Sequence, residues 1–201
     1  MKKPLVYPVV FMVVVTAVFV AILATFNYVT ADIIEFNNEN ELRYKILYVF
    51  DILPEGEDPK EIEAIFNEKI IEKSFKDIKG YALIEGNEEK AYAIPISGPG
   101  LWGSITGYLG LNKDLTKIIG IEFVTQSETP GLGGRISEED YKNQFRDIDI
   151  TSPVNESYII SKPQTGGNID AISGATQTSA AVVKFINEDL TKFFNIVEVS
   201  N

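Results

Sequence analysis

A short run of small and hydroxylated residues, Ser173–Thr176, precedes the last apolar-periodic segment of this 201-residue chain. The free N–H groups and the dipole at a helix start favour a bound anion such as a phosphate, and Gly and Ala let a ligand approach the backbone closely. Ser or Thr in this place is also typical of a plain N-cap. The residues alone therefore leave two interpretations open, an anion site and simple capping.

The single tryptophan, Trp102, lies within the glycine-rich stretch Gly98–Gly103, at the predicted entrance to a strand. A tryptophan in such a loop can offer its face to a planar ligand ring. It can equally close one end of a hydrophobic core, and nothing in this stretch alone decides between these two roles.

A third stretch, Glu128–Arg135, reads ETPGLGGR. One proline and three glycines prescribe its backbone, so the loop is either shaped for a ligand or an ordinary tight connection. Leu132 is the single aliphatic residue among these turn formers, and we expect it to pack on a ligand or on the core.

The composition limits the chemistry, because the chain has neither cysteine nor histidine. This excludes disulfides, thiolate-ligated iron–sulfur clusters, His-ligated haem, the common zinc sites and a Ser-His-Asp hydrolase. Redox chemistry would have to come from an organic cofactor. The net charge of −11 argues against a nucleic-acid surface, and a hydrophobic content of 45% with 12 Phe argues for a real core.

The N-terminal segment carries no charged side chain from Pro4 to Ala31, and Leu5–Phe26 is almost wholly apolar. About 20 such residues span the hydrocarbon core of a bilayer. A cleaved signal peptide is the alternative, but its apolar region is shorter and ends at a small-residue cleavage site. The sequence therefore predicts a retained transmembrane helix.

The flanking charges predict the orientation of this helix. Lys2 and Lys3 precede the span, and acidic residues follow it from Asp32 onward. The positive-inside bias then places the N-terminus in the cytoplasm and the rest of the chain outside. Without the two lysines, the remainder carries a formal charge of −13.

The elements that must position the three loops are predicted from periodicity and turn signals. Asp58–Glu61 is typical of a helix start, and helical spacing continues through Ile70. The strands are expected at 81–84, 91–96, 104–111 and 118–124, followed by a polar helical stretch at 137–145, a short strand at 158–161 and a final helix. The fold class is therefore α+β, an antiparallel β meander with flanking helices, preceded by one N-terminal transmembrane helix.

The predicted domain organisation has three parts. Residues 1–31 form the cytoplasmic tip and transmembrane helix, 32–57 a juxtamembrane connector, and 58–201 the extracytoplasmic domain. Within the connector, residues 42–53 are expected to pack against that domain or against a partner.

In combination and in this order, the three loops behind one membrane span resemble the covalently flavinylated subunit of two respiratory complexes. These are the G subunit of Rnf, an ion-translocating ferredoxin:NAD oxidoreductase, and the C subunit of Nqr, a sodium-translocating NADH:quinone oxidoreductase. The resemblance rests on the anchor, the GLWG-type loop, the ETPGLG loop and the D-x-x-S-G-A-T signature that begins at Asp170.

The resemblance implies FMN as the cofactor, joined by a phosphoester to the hydroxyl of Thr176, with a separate flavin transferase making the bond from FAD. It also implies cofactor-binding roles for further residues of the three loops: Asp170, Ser173, Gly174, Ala175, Trp102, Glu128, Thr129, Leu132 and Gly133. No catalytic acid–base pair and no metal ligands are expected.

The function expected from the resemblance is that of an electron-carrying subunit in a multisubunit oxidoreductase of the cell (inner) membrane. The compact length favours Rnf, with the Nqr subunit as the alternative. A reversible flavin-binding or sensory domain, a purely structural subunit and a stand-alone flavin reductase are the other classes considered. The expected partners are other subunits of the complex, the flavin transferase and the membrane, with no nucleic acid.

Overall fold

The structure is a computed structural model that describes residues 6–56 and 58–198, with the side chains of Asp32 and Glu198 left out of the description. Lys2, Lys3 and Leu5, which entered the prediction of the anchor and its orientation, lie outside the described residues. The chain divides into two compact units, one within residues 1–41 and the other from Leu42 onward.

The first unit consists of the beginning of helix α1, which runs from Val6 to Val49. Within it, Val6–Ala31 is long and apolar enough to cross a membrane, and its apolar stretch is not buried within the protein. Exposed valine, phenylalanine and isoleucine side chains cover this segment. By length and composition it is a candidate membrane anchor.

The second unit is built on a five-stranded sheet of β1 (Ile70–Phe75), β2 (Ile78–Glu85), β3 (Glu88–Pro99), β4 (Ser104–Asn112) and β5 (Ile118–Thr125). Neighbouring strands are all antiparallel, and their order in the sheet is their order in the chain. The predicted meander is therefore confirmed.

Helices and loops cover both faces of the sheet. The side chains of a strand alternate between these faces, so one strand contributes to two hydrophobic clusters. On β3, Ile94 and Ile96 belong to the larger core, which includes α4 (Thr176–Glu198) and the segment from Ile136 to Ala175. Ala91 and Ala93 belong to the second cluster, which includes the end of α1 and α2 (Pro59–Lys69). Residues 42–53, expected to pack on the domain or on a partner, thus supply Ile46, Leu47, Val49 and Phe50 to the domain's own core.

The start of α2 follows the predicted signals. Asp58 is the N-cap, its carboxylate accepts a hydrogen bond from the amide of Lys60 at 2.9 Å, and Pro59 opens the helix. The expectation that Ile70 continues this helix is wrong. Ile70 begins β1 and pairs with Leu83, so it reaches the same hydrophobic cluster as helical Ile62 from a strand.

The region between the sheet and α4 contains a 3₁₀ turn at Gly133–Ser137, the short helix α3 (Glu139–Lys142) and a second 3₁₀ turn at Asn143–Phe145. The prediction of a strand at 158–161 is wrong, because this stretch forms only an isolated bridge, between Ser161 and Ile169. Side chains take the place of a neighbouring strand. Asn187 Oδ1 accepts from the amides of Tyr158 and Ile159, at 2.8 and 3.0 Å.

Candidate functional site

The three loops singled out in the sequence meet at one cleft of about 460 Å³. Its volume lies within the range of small-molecule and cofactor sites, about 300–1,000 Å³. The lining residues come from the β3–β4 loop, the loop after β5 and the start of α4: Leu101, Trp102, Glu128, Thr129, Leu132, Gly133, Gly174, Ala175, Thr176, Gln177 and Thr178.

Helix α4 begins at Thr176 and directs its first turn at the cleft. The first helical hydrogen bond runs from the Ser179 amide to the Ala175 carbonyl, at 3.0 Å. The amides of Thr176, Gln177 and Thr178 accordingly have no acceptor among the described residues. Such free amides are the feature by which helix starts bind phosphates.

The Thr176 side chain is exposed, and its hydroxyl forms no hydrogen bond within the described part of the chain. Side-chain capping by Ser173 or Thr176 is likewise not observed there. Instead Ser179 Oγ, which is fully buried, accepts from the Ile172 amide at 3.0 Å and donates to the Ala175 carbonyl at 3.1 Å. The turn before α4 is thus fixed without using the Thr176 hydroxyl.

The Trp102 side chain lies at the surface of the cleft with 71% of its area exposed. A tryptophan that closes the end of a core would be largely buried, so this interpretation is wrong. Its neighbour Leu101 is also about half exposed, and the two side chains form an apolar wall.

The loop after β5 owes its shape to a β-turn at Thr129–Leu132, closed by a hydrogen bond from the Leu132 amide to the Thr129 carbonyl at 3.1 Å. Pro130 takes the second position of the turn, and Gly131 takes the third with φ of +73°. This combination is typical of a type II turn, whose third position requires a left-handed backbone. The turn leaves the Leu132 side chain 45% exposed on the cleft.

Glu128 is buried at the back of the cleft, with only 5% of its surface exposed. Its Oε1 accepts from the amides of Leu101 and Trp102, at 2.8 and 3.0 Å, and its Oε2 accepts from the Thr178 hydroxyl at 2.6 Å. Burial alone would raise the pKa of Glu128, but these three hydrogen bonds outweigh it and lower the pKa below its ordinary value. We conclude that Glu128 is an ionised carboxylate at neutral pH.

Two of the predicted cofactor-binding residues do not line the cleft. Asp170 and Ser173 lie on a second groove of about 260 Å³, and Asp170 pairs with Lys162 there at 2.8 Å. The other predicted residues, including Gly174 and Ala175, all line the cleft. No group of three or more Asp or Glu side chains suited to a metal ion occurs in the described part of the chain.

Sequence reasoning missed three residues of the cleft, namely Leu101, Gln177 and Thr178. Thr178 had a detectable signal, because it lies four residues before Val182 and eight before Ile186, on the apolar stripe of α4. A hydroxyl on a buried stripe needs a partner, and Glu128 is that partner.

All three loops of the cleft fall within a segment that matches a known protein family. Residues 100–191 match the FMN-binding domain. This match supports FMN as the cofactor that the motifs imply.

Curated relatives carry the names of both complexes. The C subunit of a Na⁺-translocating NADH-quinone reductase from Chlamydia caviae is 32% identical over 128 residues, covering 54% of this chain and 40% of that protein. The G subunit of a proton-translocating ferredoxin:NAD⁺ oxidoreductase complex from Clostridium ljungdahlii is 33% identical over 108 residues, covering 54% of this chain and 56% of that protein. The chain therefore spans about half the length of the curated relatives that it matches.

Two solved structures share the fold over most of this chain. NqrC of Shewanella oneidensis covers 81% of this chain and 99% of its own, with 17% identity and a TM-score of 0.66. The C subunit of the Na⁺-translocating NADH-quinone reductase from Parabacteroides distasonis covers 81% and 94%, with 23% identity and a TM-score of 0.64. At these identities the likeness establishes the fold.

Proposed function

We propose that this chain is an electron-transfer subunit of an Rnf-type ion-translocating oxidoreductase and carries FMN on Thr176 through a phosphoester. The observation that carries the proposal is the convergence of a free hydroxyl, unpaired helix amides and an apolar wall on one cleft. These groups suit, in turn, a phosphoester, a phosphate charge and a planar ring system.

When bound, FMN would supply the reversible electron acceptor that the side chains of this protein lack. The chain's own residues would hold it. Thr176 would tether the phosphate, the amides of Gln177 and Thr178 would face its charge, and the side chains of Trp102 and Leu132 would cover the ring and limit its contact with water.

The attachment step balances if FAD is the donor. Thr176 Oγ would form a bond to the phosphorus on the riboflavin side, and the pyrophosphate P–O bond would break. AMP would leave with the electron pair of that bond, and the hydroxyl proton would pass to a base of the flavin transferase. The protein would gain the mass of FMN less one water.

Membrane placement forms part of the same proposal. Val6–Ala31 would span the membrane with the N-terminus in the cytoplasm, and the FMN-binding domain would lie on the outer side. The other redox subunits of the complex and the flavin transferase would then be its partners, on the membrane or outside it.

In-gel fluorescence tests the attachment directly. The protein is produced in its native host, or beside a flavin transferase, and is separated on a denaturing gel under ultraviolet light. We expect fluorescence in the wild type and in Thr176→Ser, which keeps the hydroxyl, and none in Thr176→Ala. Thr191→Ala, on an exposed face of the same helix, is the matched control and should stay fluorescent.

A non-fluorescent wild type would refute covalent attachment and would favour a domain that binds flavin reversibly. Persistent fluorescence in Thr176→Ala would refute the site while keeping the covalent link.

The corresponding Nqr protein is the second candidate, because the C subunit of the Na⁺-translocating NADH-quinone reductase from Chlamydia caviae is 32% identical over 128 residues. Purification of the intact complex separates the two. An iron–sulfur subunit that takes electrons from ferredoxin would support Rnf, whereas quinone reductase activity would support Nqr.

A further inference from the structure

We propose that Glu128 is a positioning residue whose carboxylate is anchored to α4 through Thr178. This carboxylate fixes the Trp102 loop (residues 100–103, between β3 and β4) at the mouth of the cleft. This inference rests on the proposed function, because the ring that Trp102 would meet is that of FMN. It assigns to Glu128 a role other than flavin contact.

Both oxygens of the carboxylate accept hydrogen bonds from groups of the protein itself. Oε1 takes two bonds, from the amides of Leu101 and Trp102, and Oε2 takes the bond from the Thr178 hydroxyl. Glu128 itself is held by a bond from its amide to Gln126 Oε1, at 2.7 Å. One buried side chain thus joins the β3–β4 loop, the loop after β5 and the start of α4.

The surrounding backbone is shaped to admit this carboxylate. A Cβ atom at Gly133 would lie 2.7 Å from Glu128 Oε2 and 2.6 Å from Thr178 Oγ1, and a Cβ at Gly100 would overlap Oε1. All three distances are shorter than the approach that Cβ atoms make in real proteins. Glycine at these two positions therefore lets the β3–β4 loop and the loop after β5 pack closely against the Glu128–Thr178 pair.

Besides the pairing of Pro99 with Ser104 at its two ends, few contacts hold the Trp102 loop. The Trp102 side chain is mostly exposed and forms no ring-to-ring pair within the described residues, so core packing does not fix it. Its backbone is held by the two bonds to Glu128 and by the bond from the Gly100 amide to the Gly103 carbonyl, at 2.7 Å. Loss of the carboxylate would release two backbone amides together.

Hydrogen exchange on the full-length protein in detergent measures this release, and it needs no flavin. It is carried out on Thr176→Ala protein, with and without Glu128→Ala, which removes both acceptor oxygens. We expect the amides of Leu101 and Trp102 to exchange at least tenfold faster with Glu128→Ala, while the β3 amides keep their protection. Glu138→Ala, at an exposed carboxylate paired with Arg135, is the matched control and should change neither region.

Variants of Thr178 keep the proposal testable if Glu128→Ala folds poorly. Thr178→Val removes the anchoring hydroxyl with little change in shape and should also speed exchange at Leu101 and Trp102. Thr178→Ser keeps the hydroxyl and should restore protection. Unchanged exchange in both Glu128→Ala and Thr178→Val would overturn the proposal.

Flavin fluorescence of the loaded protein distinguishes positioning from a general structural role. Trp102 near the ring is expected to quench FMN, so Glu128→Ala should raise the native fluorescence severalfold while the denatured fluorescence stays the same. In a Trp102→Phe background, Glu128→Ala should add little further change. An equally large change in that background would overturn the proposal in favour of direct flavin contact by Glu128. Absence of attached FMN would instead refute the proposed function and leave the exchange result valid.

Discussion

Three hydroxyl-bearing residues open helix α4, and they differ in what their side chains are free to do. Thr178 and Ser179 are buried and donate to Glu128 and to the Ala175 carbonyl. Thr176 is exposed on the cleft and has no partner among the described residues. At the scale of single residues, Thr176 is thus the hydroxyl of this turn that is available to react.

Because atoms are closely packed around the Glu128–Thr178 pair, we expect Gly133→Ala to destabilise the folded protein. The new methyl group would overlap Thr178 Oγ1 and Glu128 Oε2, so we expect a loss of about 1–3 kcal/mol in the free energy of unfolding. Urea denaturation measures it. Gly134→Ala is the control, because its Cβ would meet the Thr129 carbonyl oxygen at 3.3 Å and needs only a small shift. Equal losses in the two variants would contradict the account.

Glu128 also links stability to pH. Burial would raise its pKa, yet hydrogen bonds from Thr178, Trp102 and Leu101 lower it below 4.5 in the folded protein. The unfolded chain therefore binds the proton first as the pH falls. The stability contributed by ionised Glu128 is fully present when the pH is above the ordinary pKa, which applies to the unfolded chain. It is lost as the pH falls through the lower pKa of the folded protein.

Denaturation of the wild type and Glu128→Gln, at steps from about pH 7 to about pH 3, checks this linkage. The difference between their free energies of unfolding should narrow toward acid pH. A difference that stays constant over the range would mean that Glu128 carries no depressed pKa.

At the scale of elements, the meander was predictable and two neighbouring features were not. Turn signals separate the apolar runs of strands β2 to β5, so the pairing of these strands follows from local sequence. The position of Ile70 is compatible with the helical spacing of α2 and also with a strand. Only its pairing with Leu83 shows that it belongs to β1. The segment at 158–161 has strand-like residues, but its amides bond to the side chains of Asn168, 8 residues from Ile160, and Asn187, 29 residues from Tyr158. The contact of Glu128 with Thr178 was hidden for the same reason, since 50 residues separate them.

Asn187 on α4 is the element-scale link that we expect to be most sensitive. Its side chain accepts from the amides of Tyr158 and Ile159 and donates to the carbonyls of Ile159 and Val183. Asn187→Ala would remove these four hydrogen bonds and should cost about 1–3 kcal/mol of stability. Hydrogen exchange should rise at residues 158–159. Glu188→Ala, an exposed neighbour, should leave both quantities unchanged, and unchanged exchange in Asn187→Ala would contradict the assignment.

For the whole molecule, the absence of native cysteine makes the proposed sidedness easy to measure. Lys184→Cys places one thiol on α4, where the native side chain is 76% exposed. Lys3→Cys places one before the apolar segment. With a membrane-impermeant maleimide, we expect Lys184→Cys to label in intact cells with a permeable outer layer, and Lys3→Cys only after the membrane is broken. The reverse pattern would contradict the orientation that the flanking charges predict.

The central claim is that FMN is bonded to Thr176, and mass spectrometry of the proteolytic peptide containing Asp170–Lys184 tests it most directly. Fragmentation of this peptide from natively produced protein should locate a mass increase equal to FMN less one water on Thr176. An unmodified peptide, or the same increase located on Thr178 or Ser179, would contradict the account.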